Sequence, residues 1–125
     1  MWLFAQFRLH FLIWVLAAIP VAAADFDRVV EVAPEVIAAG KVSGLVRNVG
    51  QWTIKNVRLR VDHRWSWPDG GSYRKSLESI TQGLILPGDP AGFASVHLPP
   101  PSVPESASYS MKVTVLEVTQ IRMSE

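Results

Sequence analysis

The chain has 125 residues, no cysteine, and almost balanced charge, with 12 basic against 11 acidic side chains. That length allows one domain, and the balance argues against a nucleic-acid surface, which needs a basic patch or stripe, though a local basic group could still matter. Without cysteine there is no disulfide framework, no thiolate metal site and no lipid attachment at a processed cysteine.

Residues Met1 to Ala24 read as a secretory leader. Arg8, with His10 beside it, supplies a basic start, Phe11 to Ile19 is an apolar run broken by Pro20, and Ala22, Ala23 and Ala24 match a small-residue cleavage site. The division is thus residues 1–24 as signal peptide and 25–125 as domain. The apolar run alone falls short of the roughly 20 residues that span a bilayer. Extended back to Met1 it reaches that length, which leaves an uncleaved anchor as the alternative. Without Arg8 the remainder holds equal numbers of basic and acidic residues. The expected location is the bacterial periplasm or medium; the alternative is the inner membrane, facing the periplasm, with the N-terminal segment as the only membrane contact.

Phe26 to Val32 is rich in valine and is expected to form a first, edge strand, since Pro34 is tolerated only at an edge or bulge. Glu35 to Ala39 continues that strand or makes one helical turn, and Gly40 ends it. Lys41 to Asn48 alternates: Val42, Gly44 and Val46 share one face. Gly44 within it implies that a backbone or large side chain approaches closely. Asn48-Val-Gly50 supplies a turn, and the chain rises through Trp52 and Ile54. Asn56 to Trp67 is the clearest strand. Val57, Leu59, Val61, His63, Trp65 and Trp67 occupy one parity, and Arg58, Arg60, Asp62, Arg64 and Ser66 the other.

Pro68-Asp-Gly-Gly71 marks a hairpin turn, and a mixed, peripheral strand resumes at Ser72. A short apolar stretch around Ile80 and Leu84 to Leu86 closes at Pro87-Gly-Asp-Pro90. Gly92 to Leu98 sets Ala94, Val96 and Leu98 against Phe93, Ser95 and His97. The prolines at 99–101 hold a loop. Tyr109 to Val118 is the last strand, with a parity switch near Leu116 that signals a bulge; Ile121 precedes a polar tail. About seven short strands with Gly/Pro turns and no long amphipathic helix predict an all-β, immunoglobulin-like antiparallel sandwich after an N-terminal signal helix.

Val42-Ser-Gly44-Leu-Val46-Arg-Asn48 followed by Asn56-Val57-Arg-Leu59-Arg-Val61, with Leu86-Pro87-Gly88 leading to Phe93, resembles FxLYD-type domains. These are small exported bacterial β-sandwiches of immunoglobulin or fibronectin type III character. The resemblance runs from Val42 to Val118 and implies a fold without catalytic residues. It departs at one place. The family pattern puts apolar residues two and four positions after the Phe, where this chain has Ser95 and His97. Either a bulge shifts Val96 and Leu98 into those places, or the correspondence is loose there.

No constellation for chemistry emerges. His63 and His97 lack companions at metal-ligand spacing, no serine sits in a nucleophile-elbow setting, and no glycine loop is built for phosphate. No cofactor is expected. His63 reads as a hydrogen-bonded core histidine and His97 as a surface residue. Trp65 is expected to plug the core, with Trp67 capping it. The alternative leaves Trp67 and Tyr73 exposed near the 67–73 hairpin tip, where with Arg64 and Arg74 they would suit a glycan or protein. Arg58, Arg60 and Arg64 read as a charged strand exterior with Glu78 or Glu117 as cross-strand partners, or as a contact surface for lipid headgroups or an acidic partner. The function expected is an exported, non-enzymatic interaction module whose partner is another envelope protein. The alternative is a small carbohydrate-binding module using the aromatics of that hairpin.

Overall fold

The computed structural model describes residues 15–124. The basic start with Arg8 and His10, and the first part of the apolar run, lie outside them, as does most of the expected signal helix. Among the described residues eight strands form two antiparallel sheets packed as a sandwich: β1 (Val15–Pro20), β2 (Val30–Ala38), β3 (Lys41–Asn48), β4 (Thr53–Ser66), β5 (Ser72–Ile80), β6 (Leu84–Ile85), β7 (Pro90–Val96) and β8 (Ser108–Ser124). One sheet runs β1-β8-β4-β5, with β6 added to β4; the other runs β2-β3-β7. Strands β2 to β8 are the seven expected, joined in an immunoglobulin-like sandwich.

The additional strand comes from the segment read as leader. Val15–Pro20 pairs with Thr119–Ser124, so β8 continues to Ser124 instead of fading after Val118. Alternatives to helix were open to this run, because short apolar stretches suit a strand equally well. Among the described residues no helix is long and apolar enough to cross a membrane.

Phe26–Val29 is a helical turn, α1, instead of the expected start of a strand. Its i, i+3 spacing turns buried Val29 and half-buried Phe26 to the same side, against the core. Strand β2 then runs unbroken through Pro34, opposite Gly44, at the edge of its sheet.

The core lies between Val42 and Val46 of β3, Phe93 of β7, and Ile54, Val57, Leu59 and Val61 of β4, with Ile85 and Val118 closing it. Each such aliphatic side chain contributes about 1.5–3 kcal/mol on burial. Two features adjust β4 to this packing. Asn56 takes a positive φ of 53°, and the pairing with β8 shifts between Lys55 and Arg58. That irregularity lets Ile54 and Val57, three residues apart, both point inward. A second shift leaves Leu116 unpaired between Val115 and Glu117, the bulge its parity switch announces. Gly44 is required by its neighbours: a Cβ there would stand 2.8 Å from the Phe93 ring and 2.5 Å from the Ala33 carbonyl oxygen.

The residues that carry the family resemblance meet in space. Asn48 is wholly buried at the end of β3. Its backbone N–H donates to the Asp89 carbonyl (3.1 Å) and its carbonyl accepts from the Gly88 N–H (2.8 Å). Leu86 to Asp89 forms a tight turn closed by the Asp89 N–H on the Leu86 carbonyl, with Pro87 presetting φ and Gly88 at φ 86° as such a turn demands.

Candidate functional site

Strand β4 is central in its sheet, so its two faces carry different constellations. The inward face past Val61 is polar and aromatic. In register across β5, β4 and β8 stand Tyr73, Trp65 and Tyr109, and one pair nearer the middle, His63 lies beside Met111. From the opposite sheet, Ser95 and His97 reach in, with Gly40 of the β2–β3 turn alongside.

His63 is fully buried and both ring nitrogens are used: Nδ1 lies 2.5 Å from the Tyr109 hydroxyl and Nε2 2.8 Å from the Ser95 hydroxyl. The Tyr73 hydroxyl bonds His97 Nε2 at 2.9 Å, and those two rings stack 5.8 Å apart. Trp65, 3 % exposed, is enclosed by this ring of groups, closest to Tyr109 at 4.9 Å between centroids. Burial pushes the His63 pKa down, and the nearby His97 adds to the effect while Asp62 opposes it. Burial pushes the Tyr109 hydroxyl up, opposed by a hydrogen bond from the Gly40 backbone. Uncharged imidazole is therefore the form favoured at His63.

This cluster corrects the sequence reading of β7. Phe93, Ser95 and His97 face inward, whereas Val96 and Leu98 are 58 % and 66 % exposed. No bulge exchanges them. Ser95 and His97 are tolerated inside because β4, β5 and β8 supply partners, and His97 is half-buried, not a surface residue. Serine, histidine and tyrosine in a row resemble a nucleophile with its base. With His63 fully buried and Ser95 nearly so, the row bonds to itself and stiffens the end of the sandwich.

The four residues singled out from sequence as one site divide between the two faces. Trp67 and Tyr73 belong to the inward parity. Tyr73 is half-buried, its hydroxyl committed to His97 and its ring 5.8 Å from Trp65, so it is not the exposed aromatic of the alternative reading. Trp67 folds back on the turn: a Cβ on Gly71 would stand 2.1 Å from its ring. Backbone bonds from Trp67 N–H to the Gly71 carbonyl and from Gly70 N–H to the Trp67 carbonyl close the hairpin. Gly71→Ala is expected to push this ring into solvent. The checks are a red-shifted tryptophan emission and a modest loss of stability, about 1 kcal/mol.

Arg64 and Arg74 belong to the outward face, directly opposite each other across β4 and β5. On the other side, Ser110 of β8 faces Arg64, and Lys112 faces Asp62. Together with Ser76 these side chains line a groove of about 380 Å³. Asp62 is taken up internally, accepting from the Ser76 hydroxyl and pairing with Arg60 at 3.4 Å. Arg58 lies between Glu78 (3.1 Å) and Glu117 (3.2 Å), the two cross-strand partners named from sequence. Among the described residues no carboxylate pairs with Arg64, Arg74 or Lys112. Ser110 and Lys112 were not singled out by sequence; their parity on β8 was the only signal, and it does not say which strand lies alongside.

Comparison of the chain with protein-family models, with curated proteins and with solved structures gives no match. Among the described residues no group of three or more His, Cys, Asp or Glu is arranged to hold a metal ion.

Proposed function

We propose that this chain is an exported, non-enzymatic β-sandwich interaction module of the bacterial cell envelope, of FxLYD type, whose partner is another envelope protein. The observation that carries the reading is the division of labour across β4. The groups capable of acid–base chemistry are bonded to one another inside the sandwich, while the outward face offers unpaired cations to whatever docks there. Export is supported by the leader-like start, and a bacterial rather than a eukaryotic exported domain by the absence of cysteine. Kinship with FxLYD-type domains is supported by the structural use of the shared residues: Asn48 bound to the Pro87–Gly88 turn, and Phe93 packed on Gly44. A glycan-binding reading has less support, since Tyr73 is engaged internally.

Fractionation of expressing cells tests the proposal. The expected result is a chain beginning at Asp25 in the periplasmic fraction, without β1 and with β8 as the edge of its sheet, co-purifying in fixed ratio with one envelope protein. Retention of the chain from Met1 in the cytoplasmic fraction, without a companion, would refute it.

A further inference from the structure

We infer that the groove lined by Arg64, Arg74, Lys112, Ser76 and Ser110 is the docking site for an acidic segment of the partner protein, an inference that rests on the interaction-module reading. Cations directly opposite one another on neighbouring strands oppose sheet formation. Arg64 and Arg74 form such a pair near the hairpin end of this face. Elsewhere on the same face the chain avoids the problem: Arg58 has Glu78 and Glu117, and Arg60 has Asp62. At the groove, among the described residues, no carboxylate pairs with Arg64 or Arg74, and Lys112, in register with Asp62, adds a third cation from β8.

The donor set states the ligand chemistry. Two planar guanidinium groups match carboxylates in a forked geometry, and the Ser76 and Ser110 hydroxyls lie within the same groove. The surroundings narrow it further. Asp62 borders the groove, and Glu78 and Glu117 lie on the same face around Arg58. These carboxylates are already held by Arg58 and Arg60, so the unpaired positive charge is confined to the groove, an area smaller than a continuous layer of lipid headgroups would cover. A short run of separate acidic side chains can place its charges over Arg64, Arg74 and Lys112 alone. The overall balance of charge agrees, since attraction here is local.

The test pairs binding with stability. Titrating the purified chain with a hexaglutamate peptide should shift the backbone amide resonances of Arg64, Arg74 and Ser110 saturably. Phosphatidylglycerol vesicles and inorganic phosphate at matched charge should leave them in place. Arg74→Glu should weaken peptide binding roughly tenfold or more. It should also raise the thermal midpoint, because the substitution turns a repulsive cross-strand pair into an attractive one. Arg58→Glu, outside the groove, should keep the peptide shifts. Peptide binding unchanged by Arg74→Glu, or vesicles displacing the peptide from the groove, would overturn the inference. So would an envelope protein captured equally well by the original and Arg74→Glu chains, an outcome that leaves the interaction-module reading standing.

Discussion

Asn48→Ala is expected to cost about 3 kcal/mol and to lower the midpoint of thermal unfolding by roughly 12–24 °C. The Asn48 side chain donates from Nδ2 to the carbonyls of Trp52 (2.7 Å) and Ile85 (2.9 Å), and Oδ1 accepts from the Gly50 N–H (3.0 Å). One amide thereby holds the β3–β4 turn against β6. Alanine leaves these groups without the amide, the Ile85 carbonyl in a buried site and the other two in part-buried ones, and each buried orphan costs about 1–3 kcal/mol. Asn48→Asp separates hydrogen bonding from shape. It retains the acceptor for Gly50 but sets a carboxylate against two carbonyl oxygens, so it should be at least as damaging as alanine. Urea unfolding of the three chains checks the order; an aspartate variant as stable as the original would show that the side-chain donors contribute nothing.

His63 is expected to make stability depend on pH, and its removal to cost about 3–5 kcal/mol. His63→Ala opens a cavity beside Trp65 and strips partners from Tyr109 and Ser95. Because burial lowers its folded pKa below the ordinary histidine value of 6.5, the unfolded chain binds a proton that the folded chain refuses. Stability from this group is therefore complete above that value. It is lost as pH falls from there toward the folded pKa, at no more than about 1.4 kcal/mol per pH unit, and the loss then levels off. The charged and titratable groups around it are His97, Tyr109 and Asp62, with Lys75 opposite on β5. Urea titrations between pH 8 and pH 5 should show the decline in the original chain and a flatter profile in His63→Gln. An equal decline in both chains would assign the acid sensitivity to other groups.

The scaffold was legible wherever alternation was strong and one face was apolar. Strand β3 has the predicted limits Lys41 and Asn48, the parity of Val57, Leu59, Val61, His63 and Trp65 holds, and Leu116 marks a bulge. Gly44 announced a close neighbour, and Phe93 is that neighbour. What could not be read depended on contacts between distant segments. Val96 and Leu98 outrank Ser95 and His97 in hydrophobicity, so local pattern favours them for the interior. The opposite outcome follows from His63, Tyr73 and Tyr109 waiting across the sandwich with matching polar groups. In the same way, β1 finds a place because β8 offers it an edge.

The candidate site was half legible. Arg64 and Arg74 share the outward face, and Trp67 and Tyr73 the inward one, a separation that strand parity alone reveals. That Arg64 opposes Arg74 follows from the hairpin, whose register is centred on Asp69. The third cation, Lys112, arrives from a strand 48 positions further along the chain than Arg64 and could be placed only by the pairing of β4 with β8.

The central claim is that this module meets its partner through the outward face of β5, β4 and β8. A photo-crosslinking amino acid in place of Ser110, in cells exporting the chain, tests it directly, with the same probe in place of Ala94 on the outward side of the other sheet as comparison. The account predicts one discrete crosslinked product from position 110, lost when Arg74→Glu is added, and none from position 94. A product from position 94 with none from position 110 would contradict it.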